Sequence, residues 1–321
     1  MSGTDLSYII PRIDRDLLKA ELTPERLVRK TSKLNNEVYI LNHHNSPNVM
    51  KEIGRLREVT FAMAGGGTGE PVDIDENDTS ANCYDQLIVW SPEDENITGG
   101  YRFIDCAKAL NTWKDDLSTA HYFDYSTQFV KEYLPWSVEL GRSWVNPEYQ
   151  PSMNPRKGLF ALDNLWDGLG AIVLLHPKMK YFFGKVTMYT SYNEQAKRAV
   201  LGFMKHYFPD PEGLAVPKNP LYTSVVQHEI VQQISGMDFK DGMKVLQKYC
   251  RERDENVPPL ISNYMQLSPT MRSFGTTKNL EFGGVEETGI LIALADIYPG
   301  KKERHIVGYP DSMKNHLAYT G

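Results

Sequence analysis

Apolar positions recur along the chain with two different periods, and their alternation predicts the order of elements. Over residues 158–176, Leu159, Leu162, Leu165, Trp166, Leu169, Ile172 and Val173 follow the i, i+3, i+4, i+7 spacing of one helix face. Asp163 and Asp167 interrupt that stretch, which argues for a core helix over a membrane span. Val49, Ile53, Leu56 and Val59 make a second helical face over 47–61, and Ala196, Val200, Phe203 and Met204 a third over 193–207. Short apolar or alternating runs at 37–41, 86–90, 97–104, 137–145 and 181–189 predict strands. The acidic turn 91–96 joins two of them as a hairpin, so the sheet begins antiparallel. The expected order is strand, helix, strand, strand, strand, helix, strand, helix.

The flanks are less regular. Residues 1–30 read as an N-terminal arm: Leu17, Leu18, Leu22 and Leu27 lie at roughly helical spacing, and Pro24 and Glu25 after Thr23 suggest a helix start. Packing on the core is expected of this arm, in preference to a membrane surface. Beyond Pro209 come a proline-rich stretch, a helix near 241–254, and apolar segments at 260–267 and 289–297 that read as strands completing the same sheet. No internal repeat and no Gly/Ser linker divides the chain. The expected organisation is therefore the arm, 1–30, and one domain, 31–321, with a helical insert at about 209–257.

Composition narrows the function. A chain of 321 residues that is 41% apolar supports a sizeable core. Its net charge of −6 weighs against a nucleic-acid partner. The charge is uneven: residues 71–95 hold eight acids and no Lys or Arg, whereas 146–207 hold eight Lys or Arg against four acids. Asp5, Arg12, Asp14 and Arg15 stand where a signal peptide would be apolar, so a cytoplasmic location is expected, with peripheral contact at the inner membrane left open. Cys83, Cys106 and Cys250 are far apart and have no metal-spaced histidines nearby, so neither a disulfide framework nor a metal site is suggested. The glycine-rich run 64–69 lacks a following Lys-Ser/Thr and reads as a mobile loop. His228-Glu229 lacks the second histidine of HExxH, His43-His44 lacks the H-x4-D spacing of glycerolipid O-acyltransferases, and no GxSxG elbow occurs. Hydrolysis and O-acyl transfer are both disfavoured.

Several ordered blocks carry a resemblance. The run ELGRSWVNPEY, from Glu139 to Tyr149, resembles the ELGRSxVxPxYR segment of the hemolysin-like ornithine-lipid and glycine-lipid N-acyltransferases of the GNAT superfamily. Leu165-Trp166 with Gly168, His176-Pro177 and Tyr181 to Gly184 resemble that family's LLWxGI, HP and YLFG blocks in the same order. Upstream, Asp75 to Asp78 is similar to DEFD, Tyr84 to Val89 to CDHLLV, and Gly100-Tyr101-Arg102 to GTYR; downstream, Pro258 to Tyr264 is similar to PPLLKGY. The resemblance spans about 36–298. More distantly, Asp75, Asp78, Arg102, Glu139 and Arg142 resemble the pattern of acyl-homoserine-lactone synthases, which take acyl groups from acyl carrier protein.

The resemblance implies an α/β GNAT acyltransferase fold, a mixed and mostly antiparallel twisted sheet flanked by helices. It also implies transfer of a (3-hydroxy) fatty acyl group from acyl carrier protein to the α-amine of a small amino acid in aminolipid synthesis. Glycine is favoured over ornithine, on the insert at 209–257 and the tyrosine-rich composition. No bound cofactor is implied, since the 4′-phosphopantetheine thioester is a co-substrate. The alternatives are an autoinducer-type acyl-amine synthase and a non-enzymatic, membrane-associated hemolysin-like protein. The usual Q/R-x-x-G-x-G/A coenzyme A turn is replaced by residues 150–158, with one glycine and two cations. A helix N-terminus with Arg156, Lys157 and Gly158 suits the single phosphodiester of a carrier arm, and the basic excess suits an acidic carrier.

Amide formation needs an unprotonated amine, a stabilised oxyanion and a protonated leaving thiolate. Glu139 is the expected base, its pKa set by burial against Arg142, although residues three apart on a strand point to opposite faces and a simple pair is not assured. Arg142 or Arg102 is expected to hold the amino acid's carboxylate, with Ser143 in the same pocket. Asp75 and Asp78 would order this network or attract the ammonium. Tyr192, which resembles the family's tyrosine just beyond the YLFG strand, would protonate the thiolate, and backbone amides near Val145 would bind the oxyanion if the strand splays there.

Overall fold

Eight strands with buried inner faces join in one sheet, as far as the described residues go: 4–110, 117–221 and 224–307 of a computed structural model. The first residues of the expected arm, 1–3, and the last of the expected domain, 308–321, lie outside them. In the first half the chain runs α1 (Arg15–Glu21), β1 (Leu27–Lys30), β2 (Glu37–Leu41), α2 (Pro47–Met63), α3 (Glu76–Thr79), β3 (Asp85–Ser91), β4 (Asn96–Asp105), α4 (Cys106–Leu110), β5 (Phe123–Tyr125) and β6 (Ser137–Val145). It continues with α5 (Pro155–Leu175), β7 (Tyr181–Met188), α6 (Glu194–Tyr207), β8 (Ala215–Pro217), α7 (Val225–Ile234), α8 (Phe239–Arg251), α9 (Pro259–Met265), β9 (Arg272–Asn279), β10 (Val285–Ala293) and α10 (Pro299–Lys302). The sheet order is β1-β2-β3-β4-β6-β7-β10-β9, and all neighbours are antiparallel except β6 and β7. This is the mixed, mostly antiparallel sheet that the family resemblance implied.

Burial divides the layers. Leu165, Leu169 and Ile172 of α5 and Val200 and Phe203 of α6 pack with Leu87, Val89, Val138, Leu140 and Phe182 on one face, and α7, α8 and α9 extend that core. On the other face Ile53, Leu56 and Phe61 of α2 meet Ile88, Trp90 and Trp144, while Phe123, Phe129, Phe183 and Phe274 fill the space beyond. By length and composition α5 could cross a membrane. Within this fold it is a core helix: Asp167 is fully buried, accepts from Ser32 N at 2.8 Å and Ser32 Oγ at 2.7 Å, and pairs with His305 Nδ1 at 2.9 Å.

Four local expectations change. Residues 24–26 form a turn, not a helix start, and the chain enters the sheet's edge strand at Leu27. The apolar run 260–267 is the helix α9, opened by Pro258-Pro259, with Ile261, Tyr264 and Met265 buried at helical spacing. Strand β9 and helix α7 were not foreseen, although Ser224 and Gln227 form a capping box at the start of α7. The last strand runs from Val285 to Ala293, and residues 294–296 turn as a short 3-10 helix.

Two departures from regular pairing shape the middle of the sheet. Strands β6 and β7 pair only from Ser137↔Tyr181 to Leu140↔Gly184, and diverge beyond. On the other edge of β6, Gly100 faces Trp144 and Arg102 faces Gly141, so that Arg142 and Ser143 together oppose Tyr101 in a β-bulge, with Arg142 at φ +44°. Gly184 marks the point of divergence, because a Cβ there would stand 2.3 Å from the Leu140 carbonyl oxygen. Gly184→Ala is expected to force β6 and β7 apart and to cost ~1–3 kcal/mol, as overpacking does. Urea denaturation measures this, and an unchanged midpoint would refute the close approach.

Candidate active site

Where β6 and β7 part, two cavities meet. A polar chamber of about 560 Å³ is lined by Asp75, Asn82, Arg102, His121 and Tyr122 among others. A slot of about 630 Å³ runs between the diverging strands, past Gly141 to Val145, Met188 and Tyr189, towards Gln150, Gly158 and Tyr192. Ser118, Arg142, Lys185 and Phe282 line both. The amide of Val145 faces the slot. Asn146 N donates to Thr98 O on the β4 side at 3.0 Å, whereas Val145 O accepts from Gln150 Nε2 at 3.1 Å on the opposite side, so the Val145 N–H, which shares that direction in an extended strand, has lost its β7 partner. The strand thus splays where the sequence reading required it for an oxyanion donor, with the divergence starting earlier, just past Leu140.

Arg102 is buried and its Nη1 donates to both Asp75 oxygens at 2.7 Å and to Asp78 Oδ2 at 3.2 Å. Asp78 is fully buried and also meets Arg57 Nη1 at 3.0 Å and Gln86 Nε2 at 3.0 Å. Burial opposes the charge of Arg102, but Asp75 and Asp78 outweigh it and raise its pKa. Burial would likewise raise the Asp75 carboxyl, yet Arg102 and Arg142 hold it well below the usual carboxylate range. Arg142 lies on Asp73, Nε to Oδ2 2.8 Å, stacks over Phe282 at 4.5 Å and approaches Asp75 at 3.7 Å, with its side chain open to both cavities. The two arginines are therefore unequal: Arg102 is enclosed by acids, and Arg142 presents itself to the junction.

The bulge changes the expected relation of Glu139 to Arg142. It resets the strand's alternation, so both side chains lie on one face, yet they do not pair. Glu139 accepts from the Tyr84 hydroxyl, from Thr119 Oγ1 and from Thr119 N at 2.7 Å, and lines neither cavity. Its environment is set by these donors, and Arg142 is engaged with Asp73.

The other expected residues divide between the walls. Ser143 lies in the slot beside Val145. Tyr192 lines its far end, where its hydroxyl donates to Asn256 O at 2.8 Å, and burial, with Cys250, pushes the phenol pKa up. At the start of α5, Asn154 caps Lys157 N at 3.1 Å, and Gly158 packs so tightly on Pro151 that a Cβ would stand 2.5 Å from its nitrogen. Lys157 Nζ is tied to Asp94 at 2.6 and 2.7 Å, which leaves Arg156 as the exposed cation of the pair.

Sequence reasoning missed Arg57, Asp73, Thr119, Lys185 and Glu287. Lys185 follows the Tyr181 to Gly184 block directly, and its Nζ donates to Ser118 O at 2.9 Å and Oγ at 3.1 Å and lies 4.6 Å over the Tyr122 ring. Burial lowers its pKa, against the pull of Glu287 and Glu139. The detectable signal was a charged pair, Glu286-Glu287, inside an otherwise apolar strand. The arrangement as a whole can admit a thin acyl-thioester chain into the slot, meet its carbonyl with the Val145 amide, and offer an arginine to an anion in the adjoining chamber.

Asp75, with a depressed folded pKa, contributes stability that is full above the ordinary aspartate pKa and is lost as pH falls through the folded value. Arg102→Lys is expected to cost ~1–3 kcal/mol near neutrality through lost charge-assisted bonds. The gap from wild type should narrow on acidification below about pH 4, as the carboxyls protonate. Chemical denaturation across that range checks it, and a pH-independent gap would refute the bracing role of Arg102.

Comparison with known proteins agrees with this geometry. Residues 56–157 match the family described as Acetyltransferase (GNAT) domain. The glycine N(alpha)-acyltransferase of Bacteroides thetaiotaomicron is 50% identical over 315 residues, covering 96% of this chain and 94% of that protein. The glycine N(alpha)-acyltransferase of Phocaeicola vulgatus is 49% identical over 315 residues, covering 96% of this chain and 97% of its own. No solved structure matches. With half its residues shared along nearly its whole length, and with β6 and β7 diverging around an open strand amide, the chain belongs to the glycine N(alpha)-acyltransferase family of GNAT acyltransferases.

Proposed function

We propose that this acyltransferase moves a fatty acyl group from an acyl carrier protein thioester onto the α-amine of glycine. The observation that carries the reading is the meeting of an apolar-walled slot with a polar, arginine-bearing chamber at the open edge of β6. Glycine as the acceptor is supported by the names of the two relatives. The thioester carbonyl lies against the Val145 amide, and the acceptor's carboxylate takes the guanidinium of Arg142, whose planar fork fixes the direction of the amine. Arg102, Asp75 and Asp78 hold the chamber wall. The thiolate leaves towards Tyr192, which gives up its bond to Asn256 to supply a proton.

The carrier reading rests on the α5 start. Gly158 lets the helix press against the Gln150-Pro151 turn, and its N-terminal dipole with exposed Arg156 suits one phosphodiester on an acidic partner. On this reading the enzyme works at the surface of a cytoplasmic carrier protein, and a lipid product would leave it for the inner membrane.

Purified protein given an acyl carrier thioester and glycine is expected to yield N-acylglycine by mass spectrometry, faster than with the matching coenzyme A thioester. Arg156→Glu should raise the carrier KM, and added salt should mimic part of that loss, since exposed charges are screened over about 10 Å at 0.1 M. Equal use of both donors, indifferent to the reversal, would refute the carrier reading, and no acylated glycine would refute the function. For the acceptor, Arg142→Lys should raise the glycine KM roughly tenfold, the loss of about one charge-assisted bond. An unchanged KM would remove Arg142 from the acceptor pocket.

A further inference from the structure

The acceptor's ammonium must lose a proton before it attacks, and Glu139 is poorly placed to receive it. Its oxygens are already occupied by Tyr84 and Thr119, behind the cavity walls. Glu287 differs on each count. It projects from β10, is 3% exposed and lines the slot. Its Oε1 accepts from Asn279 Nδ2 at 3.3 Å, while its Oε2 accepts no hydrogen bond among the described residues, although Lys185 Nζ stands 3.3 Å away. Two of the hydrogen bonds that Lys185 donates go to Ser118 O and Oγ. A buried carboxylate oxygen without a donor is costly, and a ligand N–H would satisfy it.

Register brings the pair to the junction. Gly289 faces Lys185 and Thr187 faces Glu287 across β7 and β10, so the two side chains are diagonal neighbours on the same face. Lys185 lines both cavities and Glu287 lies on its slot side. An amine whose carboxylate is held at Arg142 enters beside them. The groups facing Glu287 are Lys185 from β7, Tyr189 just past it, Tyr122 from the loop before β5 and Asn279 from β9; Arg142 acts on the pair through Lys185.

We propose that Glu287 receives the acceptor's ammonium at the mouth of the slot and takes its proton, with Lys185 as the residue that positions the carboxylate. The proposal rests on the acyl-transfer reading above. The ammonium gives one proton to Glu287, and the freed lone pair forms the C–N bond at the thioester carbonyl. Collapse of the tetrahedral species breaks the C–S bond, Tyr192 protonates the departing thiolate and is restored by the amine's second proton, and Glu287 releases its proton to solvent. One turnover thus liberates one proton.

The test compares wild type, Glu287→Gln, Glu139→Gln and the double variant Lys185→Met/Glu287→Gln with acyl carrier thioester and glycine from neutral to alkaline pH. Glu287→Gln is expected to lower kcat ~10²–10⁴-fold at neutral pH, the usual worth of a general base, with the donor KM unchanged. Its rate should recover once the pH is high enough to deprotonate free glycine, because the acceptor then needs no base. The double variant removes both buried charges together, so its Tm should exceed that of Glu287→Gln while it stays slow at neutral pH. Wild-type turnover in Glu287→Gln, restored activity in the double variant, or alkaline recovery in Glu139→Gln instead would each overturn the proposal. Inactive wild type would overturn the acyl-transfer reading as well, whereas active wild type beside an active Glu287→Gln would sink this inference alone.

Discussion

One constraint governs this site: charged side chains sit beneath a covering layer, and each must find a partner there. Arg102, Glu139, Lys185 and Glu287 project from four adjacent strands onto the same face, as the pairings Arg102↔Gly141, Glu139↔Phe183 and Lys185↔Gly289 require. An isolated ion taken out of water costs several kcal/mol, so the face could not close over such a row with apolar groups alone. The layer above it answers residue by residue. Asp73 and Asp78, which follow α2, meet Arg142 and Arg102, Arg57 from α2 meets Asp78 and Gln86, and Ser118 and Thr119 meet Lys185 and Glu139. Ion pairing thus helps to fix the position of that layer, alongside packing.

The strand bulge works with this charge row. An uninterrupted β6 would have sent Arg142 to the α5 face, into a core of Leu165, Trp166 and Leu169. The left-handed backbone at Arg142 turns it back to the polar side, where Asp73 neutralises part of its charge and Phe282 shields one face of the guanidinium. A non-glycine residue at positive φ is unfavourable, and here the ion pair and the ring contact offset it.

Much of this was legible in the sequence. Helical and alternating periods located β2, α2, the β3–β4 hairpin, β6, α5, β7 and α6, because each is long enough for its period to repeat. Residues 260–267 were misread because eight apolar-rich positions fit either period, and only the contact of Ile261, Tyr264 and Met265 with the core decides between them. The motif blocks pointed to Asp75, Asp78, Arg102, Glu139 and Arg142, all of which belong to one buried region. Their partners were not legible, since Arg57 to Asp78 and Lys185 to Glu287 are contacts between elements distant in the chain and no local pattern encodes them. The mutual placement of Glu139 and Arg142 was also hidden, because a bulge leaves no periodic trace.

The two cavities share only a narrow waist, and that has an evolutionary consequence. A side chain such as Met188 or Leu162 touches the slot alone, and one such as Asn82 or His121 the chamber alone. If the slot holds the acyl tail and the chamber the amino acid, as proposed, substitutions in either group retune one specificity and leave the other untouched, so tail length and head group can drift independently among descendants of this fold. Ser118, Arg142, Lys185 and Phe282 have no such freedom. They belong to both compartments at once, and a change in any of them reshapes both.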